Sequence, residues 1–147
     1  MGYTHYWRST SEFPPAKWEA AILDIKKIVN NQRELLAYEY NQPSKPPAVT
    51  KVMVRFNGRG EEGHETFLVK PKDKDFQFCK TARKPYDLAV CACLIAFKKH
   101  LGADIELSSD GDWDEEWKPA RQLCVDLLGY SADDLQPTKA DLTRRED

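Results

Sequence analysis

The chain opens on a short stretch, residues 2–8, rich in Tyr, Thr and Trp, and this pattern predicts a strand. Ser9, Thr10 and Ser11 end it. Pro14 and Pro15 then prepare a helix, because proline suits a first turn whose N–H groups have no intrahelical partner. Trp18, Ile22, Ile25 and Val29, with Ala21 and Ile28 beside them, recur at helical spacing, while Lys17, Asp24, Lys26 and Lys27 fill the other side. The spacing predicts an amphipathic helix of about four turns.

Residues 41–50 read as a proline-studded loop. Strand-like segments surround or follow it at 36–40 (the weakest), 51–57, 64–70 and 76–81. The links 58–63 and 70–75 are short enough for antiparallel hairpins. A second helix opens at Pro85 and runs to about His100, with Gly102 just beyond. Its middle, from Leu88 to Phe97, is apolar on every side, which predicts a buried central helix. Ala89, Ala92, Cys93 and Ala96 allow it to sit close to a sheet. Residues 104–109 form another strand. The third helix starts around Trp117, carries Leu123, Cys124, Leu127 and Leu128 as its stripe, and stops at Gly129. Together these elements predict an α+β fold: a mainly antiparallel sheet packed by three helices, one of them central and buried. A single domain is expected over 1–136, followed by a charged, frayed tail at 137–147.

Composition narrows the function classes. With 22 basic against 24 acidic residues among 147, the near-neutral charge removes the bulk argument for nucleic-acid binding. The 41% hydrophobic fraction argues for a folded core and against disorder. A chain of this length buries roughly 68–70% of its unfolded surface, so neither a metal nor a disulfide is required for folding. The longest apolar run, 88–97, is about half a membrane span, and no membrane association is expected. The first residues show no secretory pattern. Cys79, Cys91, Cys93 and Cys124 are then expected as reduced thiols in a cytoplasmic protein.

Three constellations could carry chemistry. Val52, Val54 and Phe56 alternate with Met53, Arg55 and Asn57, and Phe67 and Val69 run opposite in phase to His64 and Thr66. If both apolar sets face the helices, Arg55, Asn57, His64 and Thr66 share the other face. That face is either solvated or a set of groups suited to phosphate, ribose or a base edge. The second constellation is the strand end and helix start with Lys80, Thr81, Arg83, Lys84, Tyr86 and Asp87. Here the cations bind an anion at the helix start, or Thr81 and Asp87 simply cap the helix. The third is Ser108-Ser109-Asp110-Gly111, whose Asp110 either holds a ribose hydroxyl or caps a turn.

Metal ligation is not expected. Cys91 and Cys93 lie two apart on a helix and do not share a face, and no zinc, phosphate-loop or dinucleotide motif is present. No cofactor is implied. His64-Glu65-Thr66 matches one half of the H-x-T pairing of two-histidine phosphoesterases, but Trp7 stands where His5 would need a hydroxyl residue.

The combination of Met1-Gly-Tyr-Thr-His-Tyr-Trp7, Arg55-Phe-Asn-Gly-Arg-Gly60, His64-Glu-Thr-Phe67, Phe78-Cys-Lys-Thr-Ala-Arg-Lys-Pro-Tyr-Asp87 and Ser108-Ser-Asp-Gly111 resembles a family of small phage and bacterial proteins. The resemblance runs from Met1 to about Gly129 and implies a viral origin. It carries no activity, but in size and source the chain is similar to small phage proteins that sequester or degrade nucleotide second messengers of bacterial immunity. The leading expectation is therefore a non-enzymatic pocket for an anionic, nucleotide-derived small molecule. Arg55, Lys80 and Arg83 would take phosphates, Trp7 or Tyr86 would stack on a base, and Asn57, Thr81 and Asp110 would read edges or hydroxyls, with His5 and His64 also in the pocket. Two alternatives stay open: a phosphodiesterase using His5 and His64, and a protein–protein inhibitor with a hot spot at Tyr3, Tyr6 and Trp7. Homo-oligomerisation is compatible with each.

Overall fold

Proline and glycine set the helix boundaries much as their backbone preferences require. In the computed structural model, which describes residues 2–73 and 75–131, the order is β1 (Thr4–Ser9), α1 (Pro15–Asn31), β2 (Leu36–Ala37), β3 (Ala48–Val49), β4 (Val54–Gly58), β5 (Phe67–Val69), β6 (Phe76–Lys80), α2 (Asp87–Leu101), β7 (Ile105–Ser109) and α3 (Lys118–Leu128). Gly102, with φ of 55°, and Gly129, with φ of 73°, end α2 and α3 in a backbone conformation that a Cβ disfavours. The expected tail at 137–147 lies outside the described residues.

The fold is α+β with antiparallel pairing, but the strands form two sheets where one was expected. β1 is the middle strand of the first, with β6 and β7 on its flanks. His5 stands opposite both Cys79 and Ser109, and Trp7 opposite Gln77 and Leu107. In the second sheet β4 pairs with β2, β3 and β5. The expected hairpin between 64–70 and 76–81 is not made. Pro71 accepts the Phe13 N–H at 2.9 Å, and Asp73 caps the Lys70 turn, so the link carries the chain from one sheet to the other. The proline loop is also less irregular than expected, since Ala48 and Val49 pair with β4.

The parity inferred from alternation holds: Val54 lies opposite Val69 and Phe56 opposite Phe67, all fully buried. The two sheets share one core with the helices, joined where the Trp7 and Phe67 rings meet at 5.3 Å. α2 packs on α1, α3 and β7, and every residue from Ala89 to Phe97 is buried. Trp18 of α1 stacks on Phe97 of α2 at 5.3 Å. The far face of the first sheet presents Tyr6 stacked on Phe76, with Phe78 beside it. No helix among the described residues is long and apolar enough to cross a membrane.

This packing makes α2 intolerant of truncation. Leu94, fully buried, should lose about 2–5 kcal/mol of stability on Leu94→Ala. Leu23→Ala, at a side chain 64% exposed, should stay within about 0.5 kcal/mol of wild type. Urea unfolding of both variants measures the contrast, and similar small losses would refute it.

Candidate functional site

Segments remote in the chain converge on the Asp87 carboxylate. Alternation along β1 turns His5 inward. Asp87 and Cys91, one helical turn apart, share a face of α2. Ser109 closes β7, and Trp117 lies just before α3. His5 Nε2 lies 2.6 Å from Asp87 Oδ1 and 3.4 Å from Cys91 Sγ, and His5 Nδ1 lies 2.7 Å from Ser109 Oγ.

Donor accounting at Ser109 orients this network. Its Oγ accepts the Gly111 N–H at 2.8 Å and the Trp117 indole N–H at 3.0 Å. A hydroxyl has one proton and two lone pairs, so the remaining Ser109 proton is donated to His5 Nδ1. In the neutral imidazole the ring proton is then on Nε2 and is donated to Asp87 Oδ1. The same oxygen accepts the Thr81 hydroxyl at 2.6 Å, while Oδ2 receives only the weak Cys91 S–H at 3.7 Å.

Burial pushes the Asp87 carboxyl up, but the interaction with His5, with the Thr81 and Cys91 bonds, outweighs it and holds the group below its ordinary value. Burial first, and then the Asp87 charge, push the Cys91 thiol well up, so it stays protonated and is no nucleophile. His5, Asp87 and Cys91 offer ligand atoms within 4.8 Å of one another, a spacing a transition metal could span. A metal on Nε2 would move the ring proton to Nδ1 and aim a third donor at the saturated Ser109 oxygen. The donor set fits a hydrogen-bond network and opposes a metal.

Above the network is a cavity of about 230 Å³, lined by Tyr3, Arg83, Asp87, Leu88, Cys91 and Glu116 among others. Its rim is strained. Ala82 and Arg83 both adopt the left-handed region, with φ of 54° and 61°, a conformation that costs non-glycine residues of order 1–3 kcal/mol each. The Thr81 and Ala82 amides hold this loop by donating to the Tyr3 carbonyl at 3.1 and 3.3 Å. The loop lays the Arg83 guanidinium over the Tyr3 ring at 4.1 Å and 3.7 Å from the Glu116 carboxylate.

Of the expected residues, His5, Thr81, Arg83 and Lys84 are brought together here, and the rest are not. Lys80 projects to the far face of the first sheet, while Lys84 lines the cavity with Arg83 and donates to the Glu61 carbonyl at 2.9 Å, so two of the three expected cations meet at the start of α2. Thr81 does not cap that helix, whose first residue follows Tyr86 without a side-chain cap. Trp7 and Tyr86 are core residues, 3% and 1% exposed, and cannot stack on a base; the Tyr86 hydroxyl donates to the Glu65 carbonyl. Asp110 accepts the Thr4 N–H at 3.0 Å and the Tyr6 hydroxyl at 3.3 Å, bracing the β1–β7 end.

On the Arg55 face Glu39 takes up the polar groups, although the Arg55 Nε–H is buried without a partner among the described residues. Glu39 bonds the Arg55 guanidinium with one oxygen and accepts the Thr66 hydroxyl at 2.6 Å and the Asn57 amide at 3.3 Å with the other. The Thr66 bond above all, with Arg55 and Asn57, holds the Glu39 carboxyl below its ordinary value against its burial. Asn57 also bonds both main-chain groups of His64, whose side chain is exposed. Trp7 packs against Phe67 on the core side and closes no wall of this face. His5 and His64 therefore form no acid–base pair, and Tyr3 and Trp7 are too buried to serve as a protein-binding hot spot. Sequence reasoning did not find Tyr3, Cys91 and Glu116 for the cavity, Ser109 for the network beneath it, or Glu39 for the other face. No known protein family, curated protein or solved structure matches the chain.

Because the folded-state Asp87 carboxyl sits below its ordinary 3.8, its contribution to stability is full above that pH and is lost as pH falls through the lower folded value. Asp87→Asn should destabilise by about 1.5–3 kcal/mol at pH 7, the scale of a charge-assisted hydrogen bond. Its deficit against wild type should shrink below about pH 3.8. Thermal melts at pH 7 and pH 3 read both, and a deficit equal at the two pH values would contradict the assignment.

Proposed function

We propose that the protein is a non-catalytic binding protein that captures an anionic, nucleotide-derived small molecule, with its phosphate on Arg83. The observation that carries this reading is the strained Ala82–Arg83 pair, which fixes a guanidinium at the mouth of a cavity floored by a partly buried carboxylate. The Glu116 contact, at 3.7 Å between half-open side chains, is too weak to explain that strain. A phosphate would engage the guanidinium through charge-assisted hydrogen bonds.

The chemistry of the floor favours capture over turnover. The Cys91 thiol stays protonated, the Asp87 carboxyl lies below the range useful to a general base near neutrality, and both His5 nitrogens are engaged. The cavity, about 230 Å³, falls below the roughly 300–1,000 Å³ of sites that enclose whole drug-sized ligands. It suits a phosphate and a sugar, with the base outside. Sequestration of a bacterial signal as the biological use rests on the likeness in size and source to small phage proteins that capture such nucleotides.

Arg83→Ala should weaken binding of adenosine monophosphate by about 10- to 150-fold, whereas Arg55→Ala, whose guanidinium serves Glu39, should leave it unchanged. Calorimetric titration measures the affinities, and mass spectrometry of the recovered nucleotide should find it intact. Cleaved nucleotide, or equal affinity in Arg83→Ala, would overturn the reading.

A further inference from the structure

Tyr3 carries a hydroxyl for which the fold has no use. The residue is 4% exposed, and its O–H has no hydrogen-bond partner among the described residues. Phenylalanine would fill the same space without burying an unsatisfied donor. The surroundings nonetheless make room for the oxygen: a Cβ on Gly111 would lie 2.1 Å from it. Gly111 has no left-handed backbone to explain it, so space for the phenol is what this glycine supplies.

Tyr3 lines the same cavity as Arg83 and Asp87, with its hydroxyl closed off from solvent. Burial first, then the neighbouring Cys91 and the carboxylates Asp87 and Glu116, push its ionisation up, so it remains a donor at neutral pH. Asp87 Oδ2 complements it, because the weak Cys91 S–H leaves that oxygen able to accept again. A sugar hydroxyl is both acceptor and donor and can serve the two groups at once.

We propose that Tyr3 and Asp87 read a pentose hydroxyl of the ligand whose phosphate Arg83 holds, which makes Tyr3 a specificity-determining residue and a sugar phosphate the recognised unit. This rests on the proposed capture of an anionic nucleotide-derived molecule. The Arg83 side chain covers the Tyr3 ring yet is 62% exposed. Drawing its guanidinium toward a phosphate uncovers the phenol for the sugar.

The test is calorimetric titration of wild type and Tyr3→Phe with inorganic phosphate and with ribose 5-phosphate, alongside thermal melts. Wild type should bind ribose 5-phosphate about 10- to 150-fold more tightly than phosphate, the range of a hydrogen bond to a charged group. Tyr3→Phe should lower that ratio by about 2- to 12-fold and melt no lower than wild type. Equal affinities for the two ligands in wild type would overturn the hydroxyl reading and leave anion capture standing. Failure of both ligands to bind wild type would overturn both. A Tyr3→Phe variant that keeps the ratio, or that loses both ligands alike, would show that Tyr3 supports Arg83 without reading a sugar.

Discussion

A carboxylate drawn largely out of water must find donors, and the arrangement of the first sheet follows from how Asp87 finds them. The start of α2 sets Asp87 at the edge of the core, where burial alone would drive its carboxyl toward the neutral form. Three side chains prevent this: His5 from β1, Thr81 from the loop before the helix, and Cys91 one turn along it. His5 in turn is oriented by Ser109, and Ser109 by Trp117 and Gly111. The chain of dependence thus ties β1, β7, α2 and the start of α3 to one charge. It also explains why β1 is the middle strand, since only there can His5 face Ser109 on one neighbour and Cys79 on the other.

Much of the fold was legible because it depends on local signals. Pro15, Gly102, Pro119 and Gly129 mark helix ends through backbone restrictions that tertiary contacts do not change. The all-round apolarity of 89–97 can only mean burial on every side. The division into two sheets was not legible. Segment 64–70 and segment 76–81 each alternate, and a short link between them suggests a hairpin. What separates them is non-local: β6 matches Cys79 to His5 across β1, while Phe67 matches Phe56 in the other sheet. Alternation gives parity, as at Val54 and Val69, but it does not name the partner strand.

The same limit explains what was missed in the site. Arg55, Asn57 and Thr66 do share a face, as their spacing implied, yet the acid that neutralises Arg55 is Glu39, 16 residues earlier on a segment with little strand character. The reading of a cationic ligand face failed for want of that one partner. At the cavity the reverse happened. Asp87 and Cys91 are four apart on a helix, a spacing that places them together, but Cys91 was weighed only against Cys93. Tyr3 and Glu116 could not be found by any local pattern, because they meet only when β1 and the approach to α3 are folded onto the loop after β6.

Strain and satisfaction distinguish the two polar clusters, and this distinction is the basis for assigning ligand binding to one of them. Around Glu39 each carboxylate oxygen is bonded and the backbone is ordinary, so a ligand would have to displace Arg55 or Thr66 from Glu39 to enter, even though the Arg55 Nε–H lacks a partner. Around Asp87 the network is closed below and open above. Its floor is saturated at Ser109 and at Oδ1, while Oδ2, the Tyr3 hydroxyl and the Arg83 guanidinium are left to the cavity with weak partners or none. The left-handed Ala82 and Arg83 hold that open side in place at a cost of about 1–3 kcal/mol each. A saturated floor also fixes its own protons, since moving one at His5 would leave Ser109 with a surplus donor. Groups that cannot move protons are suited to recognising a ligand and ill suited to transforming it, so the constraint that keeps Asp87 charged also favours the proposed capture over turnover in the cavity above it.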